Sequence, residues 1–87
     1  MTKVQIKRLN KEIHLPNYSH PGDAGFDIRS AEDIIIPPGE KAVIKTGLKT
    51  AIPENHVGLV WDKSGLAANN EITVLGGVVD SSYRGEI

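Results

Sequence analysis

The sequence contains no cysteine, and only 5% of its 87 residues are aromatic. Without cysteine, neither a disulfide nor a thiolate metal site can stabilise the fold. With one tryptophan, two tyrosines and one phenylalanine, the core must rest on valine, isoleucine and leucine. A domain this small is marginally stable without such supports, and oligomerisation is a common substitute for them.

An excess of charge of one sign is also missing, because the formal net charge is -1. This balance gives no long-range attraction to a nucleic acid polymer or an anionic membrane, so we expect neither as a partner. No apolar run approaches the length of a membrane span, and the alternating stretch MTKVQIKRLN is unlike a signal peptide. We therefore expect a cytoplasmic protein.

What is present is a series of short alternating apolar stretches, which predict strands. The first is at Val4 and Ile6, and a longer one covers residues 42–52 with a bend at Gly47. Further strands are predicted around Val57, Leu59 and Trp61, and around Ile72, Val74, Val78 and Val79. The stretch HLPNYSHPGDAGF is rich in proline, glycine, asparagine and serine, which predicts a loop, and PPGE predicts a tight turn. SGLAANNE predicts one or two turns of helix with Ser64 as N-cap. The pattern predicts a single all-β domain over residues 1–87, a sandwich or barrel.

Three stretches can carry chemistry. The first, DAGFDIRS, offers the carboxylate of Asp27 to a water bound by a hard cation such as magnesium. The alternative is that Asp23 and Asp27 are turn and strand-start residues that accept local backbone hydrogen bonds. On this stretch alone, the second interpretation is favoured.

The second stretch is WDKSGLA. If a helix begins after Ser64, its unpaired N–H groups, the serine hydroxyl and the Lys63 ammonium converge where phosphate oxygens can bind. The alternative is an ordinary capped helix with a solvated lysine. Serine-glycine turns are common, so the stretch alone does not decide between them.

The third stretch is GGVVDSSYRGEI. Asp80 follows an apolar pair that is expected to desolvate it in part, and such a carboxylate can take a proton from an attacking water. Tyr83 offers a flat ring to a sugar. The alternative is a hairpin whose Asp-Ser-Ser supplies turn hydrogen bonds and whose Tyr83 belongs to the core. The three histidines, His14, His20 and His56, show no metal-ligand spacing and are interpreted as solvated or structural.

Taken in order, the three stretches resemble the motifs of the dUTPase family, with AGFDI as the first, KSGLA as the second and GGVVDSSYRGEI as the third. The intervening IPPGEKAVIKTGLKTAIP is similar to the family's strand and turn pattern. The resemblance implies a jelly-roll-like fold of short mixed strands and hydrolysis of dUTP to dUMP and pyrophosphate. It also implies a homotrimer whose active sites are shared among subunits.

The same resemblance implies a role for individual residues. Asp80 is the general base that activates water for attack on the α-phosphate, and Tyr83 packs on the deoxyribose and leaves no room for a 2'-hydroxyl. Asp27 acts through waters on Mg²⁺, which is held mainly by the triphosphate. The substrate-binding residues are Lys63, Ser64 and Gly65 for the phosphates, and the hairpin backbone at Val74, Gly77 and Val79 for uracil.

The sequence also departs from the family. Many members carry arginine at the position of Lys63 and proline at that of Asp62, and a lysine offers a point charge instead of a bidentate fork. The family continues past its third motif with a phosphate-contacting segment and a glycine-rich C-terminal arm, both of which are missing here. We therefore expect an incomplete, N-terminal portion of the domain with impaired turnover. Two alternatives stay open: the dCTP deaminase branch, and a non-catalytic β module that binds nucleotide or a protein partner.

Overall fold

The computed structural model describes residues 2–87, which divide into two compact units. The first comprises Ala51–Arg84 together with the residues before Ile6, and the second comprises Ile6–Thr50 and Gly85–Ile87. The regular elements are the strands β1 (Gln5–Arg8), β2 (Leu48–Ala51), β3 (Gly58–Leu59) and β4 (Val78–Val79), and the helix α1 (Ser64–Asn70). Short strands with one short helix confirm the all-β character predicted from the sequence.

In the second unit, the chain around β2 is hydrogen-bonded on both sides. On one side β1 is its neighbour, and the Leu9 N–H donates to the Gly47 carbonyl at 2.8 Å. On the other side Glu86 forms an antiparallel bridge with Lys49, and the Ile87 N–H donates to the Leu48 carbonyl at 2.9 Å. The residues that close the third motif are therefore paired to the centre of this unit.

Two side chains form the buried centre of the second unit. Leu48 is 3% exposed, and Thr46 is 8% exposed with its hydroxyl donating to the Ile87 carbonyl at 2.7 Å. Gly47 lies between them with a φ of +72°, a conformation that a glycine adopts without strain. This is the bend predicted inside residues 42–52.

In the first unit, β3 and β4 pair antiparallel, with Gly58 opposite Val79 and Leu59 opposite Val78. One more hydrogen bond continues the ladder, from the Val60 N–H to the Gly77 carbonyl at 2.8 Å. A Cβ on Gly77 would overlap the Val60 carbonyl oxygen, so only glycine allows the two backbones to approach this closely.

Several predicted strands are shorter than expected or missing within residues 2–87. Of the range 42–52, only Leu48–Ala51 is a strand. The earlier part has separate backbone bonds, such as the Ala31 N–H donating to the Lys45 carbonyl at 2.8 Å and the Thr46 N–H donating to the Ile87 carbonyl at 3.3 Å, but these do not form a strand ladder. Ile72 and Val74 lie outside any strand, as do Val57 and Trp61. Alternation describes which side chains share a face, but a strand also needs a paired neighbour.

The local turn and helix predictions fared better. The PPGE turn is confirmed by the Glu40 N–H donating to the Pro37 carbonyl at 3.0 Å, with Gly39 at a φ of +77°. The helix predicted in SGLAANNE is α1. The prediction of Ser64 as its N-cap is wrong, because Ser64 is already helical and Lys63, which is extended, occupies the cap without a side-chain hydrogen bond.

Many apolar side chains lie on the surface. Trp61 is 80% exposed, Ile35 91% and Val43 93%, whereas Leu48, at 3%, is the one hydrophobic side chain in residues 2–87 that is buried. The core built from valine, isoleucine and leucine that composition predicted is thus small. No helix in the described part of the chain is long and apolar enough to cross a membrane.

Candidate active site

The turn that follows β4 carries the two residues on which the predicted chemistry depends. Asp80 comes directly after β4, and the Tyr83 N–H donates to the Asp80 carbonyl at 3.0 Å. Both side chains are exposed, with Tyr83 at 45%. The turn therefore presents a carboxylate and an aromatic ring at the surface of the first unit, and the interpretation of Tyr83 as a core residue is wrong.

The expected partial desolvation of Asp80 is also wrong. Asp80 is exposed, and its apolar neighbour Val78 is itself 65% exposed. The apolar pair before Asp80, exposed at Val78 and half-buried at Val79, leaves Asp80 exposed. Asp80 therefore reaches water directly, which is what a group that must meet an attacking water molecule requires.

Arg84 holds the same turn from its C-terminal end. Its Nη1 donates to the Ser81 carbonyl at 2.5 Å and to the Tyr83 carbonyl at 3.0 Å. Two bonds from one planar guanidinium to carbonyls on either side of the turn restrict the backbone between them. The sequence analysis assigned no role to Arg84, and no feature of the sequence around Arg84 indicates that its side chain bonds to the backbone of this turn.

The base-recognition segment predicted at Val74–Val79 lies between α1 and this turn. Val79 belongs to β4 and pairs with Gly58, and Gly77 is tied to Val60. The Val74 N–H donates to Oδ1 of Asp62 at 2.7 Å, so the first residue of the segment is held by a side chain from before the helix. The segment is thus anchored at both ends within the first unit.

The predicted phosphate-binding residues sit at the start of α1. Lys63 is the N-cap, with its carbonyl accepting from the Ala67 N–H at 2.9 Å, and Ser64 and Gly65 form the first turn. All three are exposed, and apart from the neighbouring residues and the backbone of the helix itself, no atom lies within 4 Å of the position that a Cβ on Gly65 would take. This open surface leaves space for a ligand near the helix start.

Asp27 lies in the second unit, unlike the other predicted site residues. It is exposed and lines an open cleft of about 680 Å³ together with His14, Tyr18 and Arg29. Its neighbour Asp23 has a local role, because its Oδ2 accepts from the His20 N–H at 3.0 Å. The turn interpretation is therefore confirmed for Asp23.

The potential metal ligands of residues 2–87 are not gathered in one cluster. No group of three or more histidine, cysteine or acidic residues is gathered there in a way that could hold an ion. His20 Nδ1 lies 3.6 Å from Asp23 Oδ2, and His56 Nδ1 lies 2.8 Å from the Glu54 carbonyl oxygen, so both contact local groups. A single carboxylate such as Asp27 suits a magnesium ion that keeps most of its waters, but not a cage built from protein ligands alone.

Comparisons with known proteins point to one family. The dUTPase family model matches residues 11–87. The deoxyuridine 5'-triphosphate nucleotidohydrolase of Thermobifida fusca (strain YX) is 46% identical over 87 residues, covering 98% of this chain and 49% of that protein. A mutant dUTPase of Staphylococcus bacteriophage 80alpha, solved with dUpNHpp, superposes with a TM-score of 0.91 at 38% identity, covering 100% of this chain and 56% of that one.

A second solved structure is a mutant dUTPase from phage phi11 of S. aureus, which reveals the coordination of a structural Mg(II) ion. Its TM-score is 0.87 at 37% identity, and the match covers 99% of this chain and 56% of that one. These superpositions confirm the predicted jelly-roll-like fold. The chain spans about half the length of the curated relatives it matches.

Proposed function

Since the chain belongs to the dUTPase family, we propose that it hydrolyses dUTP to dUMP and pyrophosphate. The observation that carries the proposal is the turn after β4, where Asp80 and Tyr83 are joined by a backbone hydrogen bond and both side chains are exposed. A carboxylate and a ring so placed can meet the attacking water and the sugar of one nucleotide. The relative from phage 80alpha holds dUpNHpp, which supports the choice of substrate.

Asp80 is the general base of this reaction. Its carboxylate takes a proton from a water molecule as the water oxygen forms a bond to the α-phosphorus. The bond from that phosphorus to the bridging oxygen breaks, and pyrophosphate leaves with the electron pair. A positioned base contributes about 10²- to 10⁴-fold to such a step.

Tyr83 selects the sugar. Its ring, 45% exposed, packs against the deoxyribose and occupies the space that a ribose 2'-hydroxyl would need. The hydrogen bond to Asp80 and the two bonds from Arg84 hold the backbone that carries the ring. A ring held this way can refuse an additional hydroxyl by contact.

Backbone groups of the hairpin at Val74, Gly77 and Val79 that are not used in its own hydrogen bonds recognise uracil. The Val74 N–H, which is bonded to Asp62, and the Gly77 carbonyl, which accepts from Val60, hold the segment in shape instead. Cytosine presents the opposite pattern at two positions of its pairing edge. Each group that it would leave unsatisfied costs about 1 to 3 kcal/mol, and this difference is the basis of selection.

Lys63, Ser64 and Gly65 bind the phosphate chain at the start of α1. Asp27, an exposed carboxylate, would hold Mg²⁺ through water. When bound with the triphosphate, the ion would neutralise phosphate charge. Lys63 supplies a single positive charge, which phosphate binding can use without the bidentate geometry of arginine.

The proposed setting of the reaction is a cytoplasmic homotrimer with shared active sites, in which residues 1–87 form one portion of the dUTPase domain. The surface supports an oligomer, because Ile35, Val43 and Trp61 are all at least 80% exposed while Leu48 alone is a buried hydrophobic residue in the described chain. A small domain with so little buried core commonly gains stability by oligomerisation.

We expect the 87-residue chain with magnesium to release pyrophosphate from dUTP, and at least about tenfold more slowly from dCTP, dTTP and UTP. The physical reason is that each competitor leaves an unsatisfied group or a steric overlap. Pyrophosphate is measured for each nucleotide separately, on protein shown to be folded by circular dichroism. Conversion of dCTP to dUTP would instead indicate the deaminase branch, and nucleotide binding without pyrophosphate release would indicate a non-catalytic module.

A further inference from the structure

Asp62 makes a contact that bridges the whole length of α1. Its Oδ1 accepts a hydrogen bond from the Val74 N–H at 2.7 Å, across twelve residues of sequence. An ionised carboxylate accepting from a backbone amide is among the stronger kinds of hydrogen bond, even though Asp62 is exposed. The bond closes the loop that contains the helix.

The position of this bond in the ladder explains what it does. The pairs Gly58–Val79 and Leu59–Val78 are followed by the bond from Val60 to Gly77. Beyond this bond the two segments of the chain separate and form the loop that contains α1. Beyond that point the Asp62 side chain supplies the acceptor that a backbone carbonyl would supply in a longer ladder. The loop is therefore tied once more after the strands have ended.

The short segment from Val74 to Gly77 is consequently held at both ends. Asp62 fixes the amide of Val74, and Val60 fixes the carbonyl of Gly77. Between them Gly76 turns the chain with a φ of +68°. Fixing both ends of a four-residue turn restricts the directions in which its remaining backbone groups can point.

Asp62 also directly precedes Lys63, the N-cap of α1. One residue therefore borders the segment assigned to the phosphates and holds the segment assigned to the base. If Asp62 is removed, the strand pairs of the first unit remain, but the entry to the base-reading segment loses its anchor. The loss should affect discrimination between bases more than the chemical step at Asp80.

We propose that Asp62 is a positioning residue for base discrimination, whose carboxylate fixes Val74 and so sets the Val74–Gly77 backbone in the geometry that selects uracil over cytosine. The inference rests on the proposed function and deepens it. Asp62 touches neither the base nor the phosphates in this account; it acts through the backbone of the segment.

The test compares Asp62→Ala, which removes the acceptor, with Asp62→Asn, which keeps an oxygen at Oδ1. Asp33→Ala is the matched control, because Asp33 is likewise exposed and lies in the other unit. We expect Asp62→Ala to lower the ratio of kcat/KM for dUTP over that for dCTP by about fivefold. The change should lie in KM for dUTP, with kcat within about twofold of the parent. Asp62→Asn should restore most of the ratio, and Asp33→Ala should leave it unchanged.

The exchange rate of the Val74 amide, measured by NMR in the chain without nucleotide, tests the hydrogen bond independently of activity. We expect faster exchange in Asp62→Ala than in the parent and in Asp62→Asn. If the exchange rate of the Val74 amide, or the ratio of kcat/KM for dUTP over that for dCTP, is the same in Asp62→Ala as in the parent, the inference is overturned and the proposed function stands. If the parent releases no pyrophosphate from dUTP, both are overturned. If Asp62→Ala does not fold, Asp62→Asn provides the test. The inference is then overturned if the Val74 amide of Asp62→Asn exchanges fast while its ratio of kcat/KM for dUTP over that for dCTP equals the parent's.

Discussion

Replacing Asp80 with asparagine is expected to lower kcat for dUTP by about 10²- to 10⁴-fold. Asparagine has nearly the volume and shape of aspartate, but its amide does not accept a proton from water at neutral pH. Asp80 lies on an exposed turn whose backbone bonds involve its carbonyl and not its carboxylate, so the turn should keep its conformation. Initial rates of pyrophosphate release measure the loss, and titration with dUTP should show affinity within about threefold of the parent.

The control for this experiment is Asp33→Asn, which removes an equal charge from an exposed position outside the proposed site. Its kcat should match that of the parent, which separates the loss of a base from a general change in charge. A variant Asp80→Asn that turned over dUTP as fast as the parent would show that another group takes the proton. Equal loss in both variants would point to electrostatics instead of general base catalysis.

Replacing Gly77 with alanine is expected to destabilise the first unit by about 3 kcal/mol. The added methyl group would overlap the Val60 carbonyl oxygen and crowd the Val60 side chain, and backbone atoms cannot move aside as a flexible side chain can. To remove this overlap, the two backbone segments must move apart where Val60 bonds Gly77, and that hydrogen bond is then lost as well. Thermal unfolding followed by circular dichroism should show a Tm lower by more than about 10 °C for a domain of this size.

Gly25→Ala serves as the matched control, because the corresponding position is open and its backbone conformation suits any residue. Its Tm should lie within a few degrees of the parent, or slightly above it, since alanine restricts the unfolded chain. If the Tm of Gly77→Ala equalled that of Gly25→Ala, the close approach of the Val60 and Gly77 backbones would not contribute to stability. The base-reading segment would then lack the anchor that our account gives it at Gly77.

The features that sequence analysis predicted well are those decided by neighbouring residues. The turn in PPGE follows from the fixed φ of proline and the freedom of glycine, and it is present with Gly39 at a positive φ. The helix in SGLAANNE follows from a compact run of helix-compatible residues. Even there the cap was misplaced by one residue, because serine is a preferred N-cap residue, whereas Ser64 is already helical and Lys63 occupies the cap without a side-chain hydrogen bond.

Strands were harder to predict because pairing depends on distant residues. Alternation over residues 42–52 correctly described side-chain spacing, but only Leu48–Ala51 is a strand, with β1 on one side and Glu86 and Ile87 on the other. The bond from the Gly47 N–H to Oε2 of Glu86 joins residues 39 apart. No local pattern marks such a contact.

In the candidate site, too, local features were predicted correctly and features that depend on distant residues were not. One interpretation of the third motif placed Asp80 in a turn, and the structure has it there, with Tyr83 joined to the same turn by a backbone hydrogen bond. The desolvation expected for Asp80 failed because apolar neighbours in sequence need not cover a side chain in space. Asp62 appeared only as a departure from the family, since its contact with Val74 depends on how the loop around α1 closes.

The central claim is that water, activated by Asp80, attacks the α-phosphorus of dUTP, and isotope labelling tests it most directly. The chain is incubated with dUTP and magnesium in water enriched in oxygen-18, and the products are separated and examined by phosphorus NMR. The account predicts that the label appears in the phosphate of dUMP and is missing from pyrophosphate. Label in pyrophosphate would place the attack on the β-phosphorus, and a folded chain that formed no dUMP would contradict the proposed activity itself.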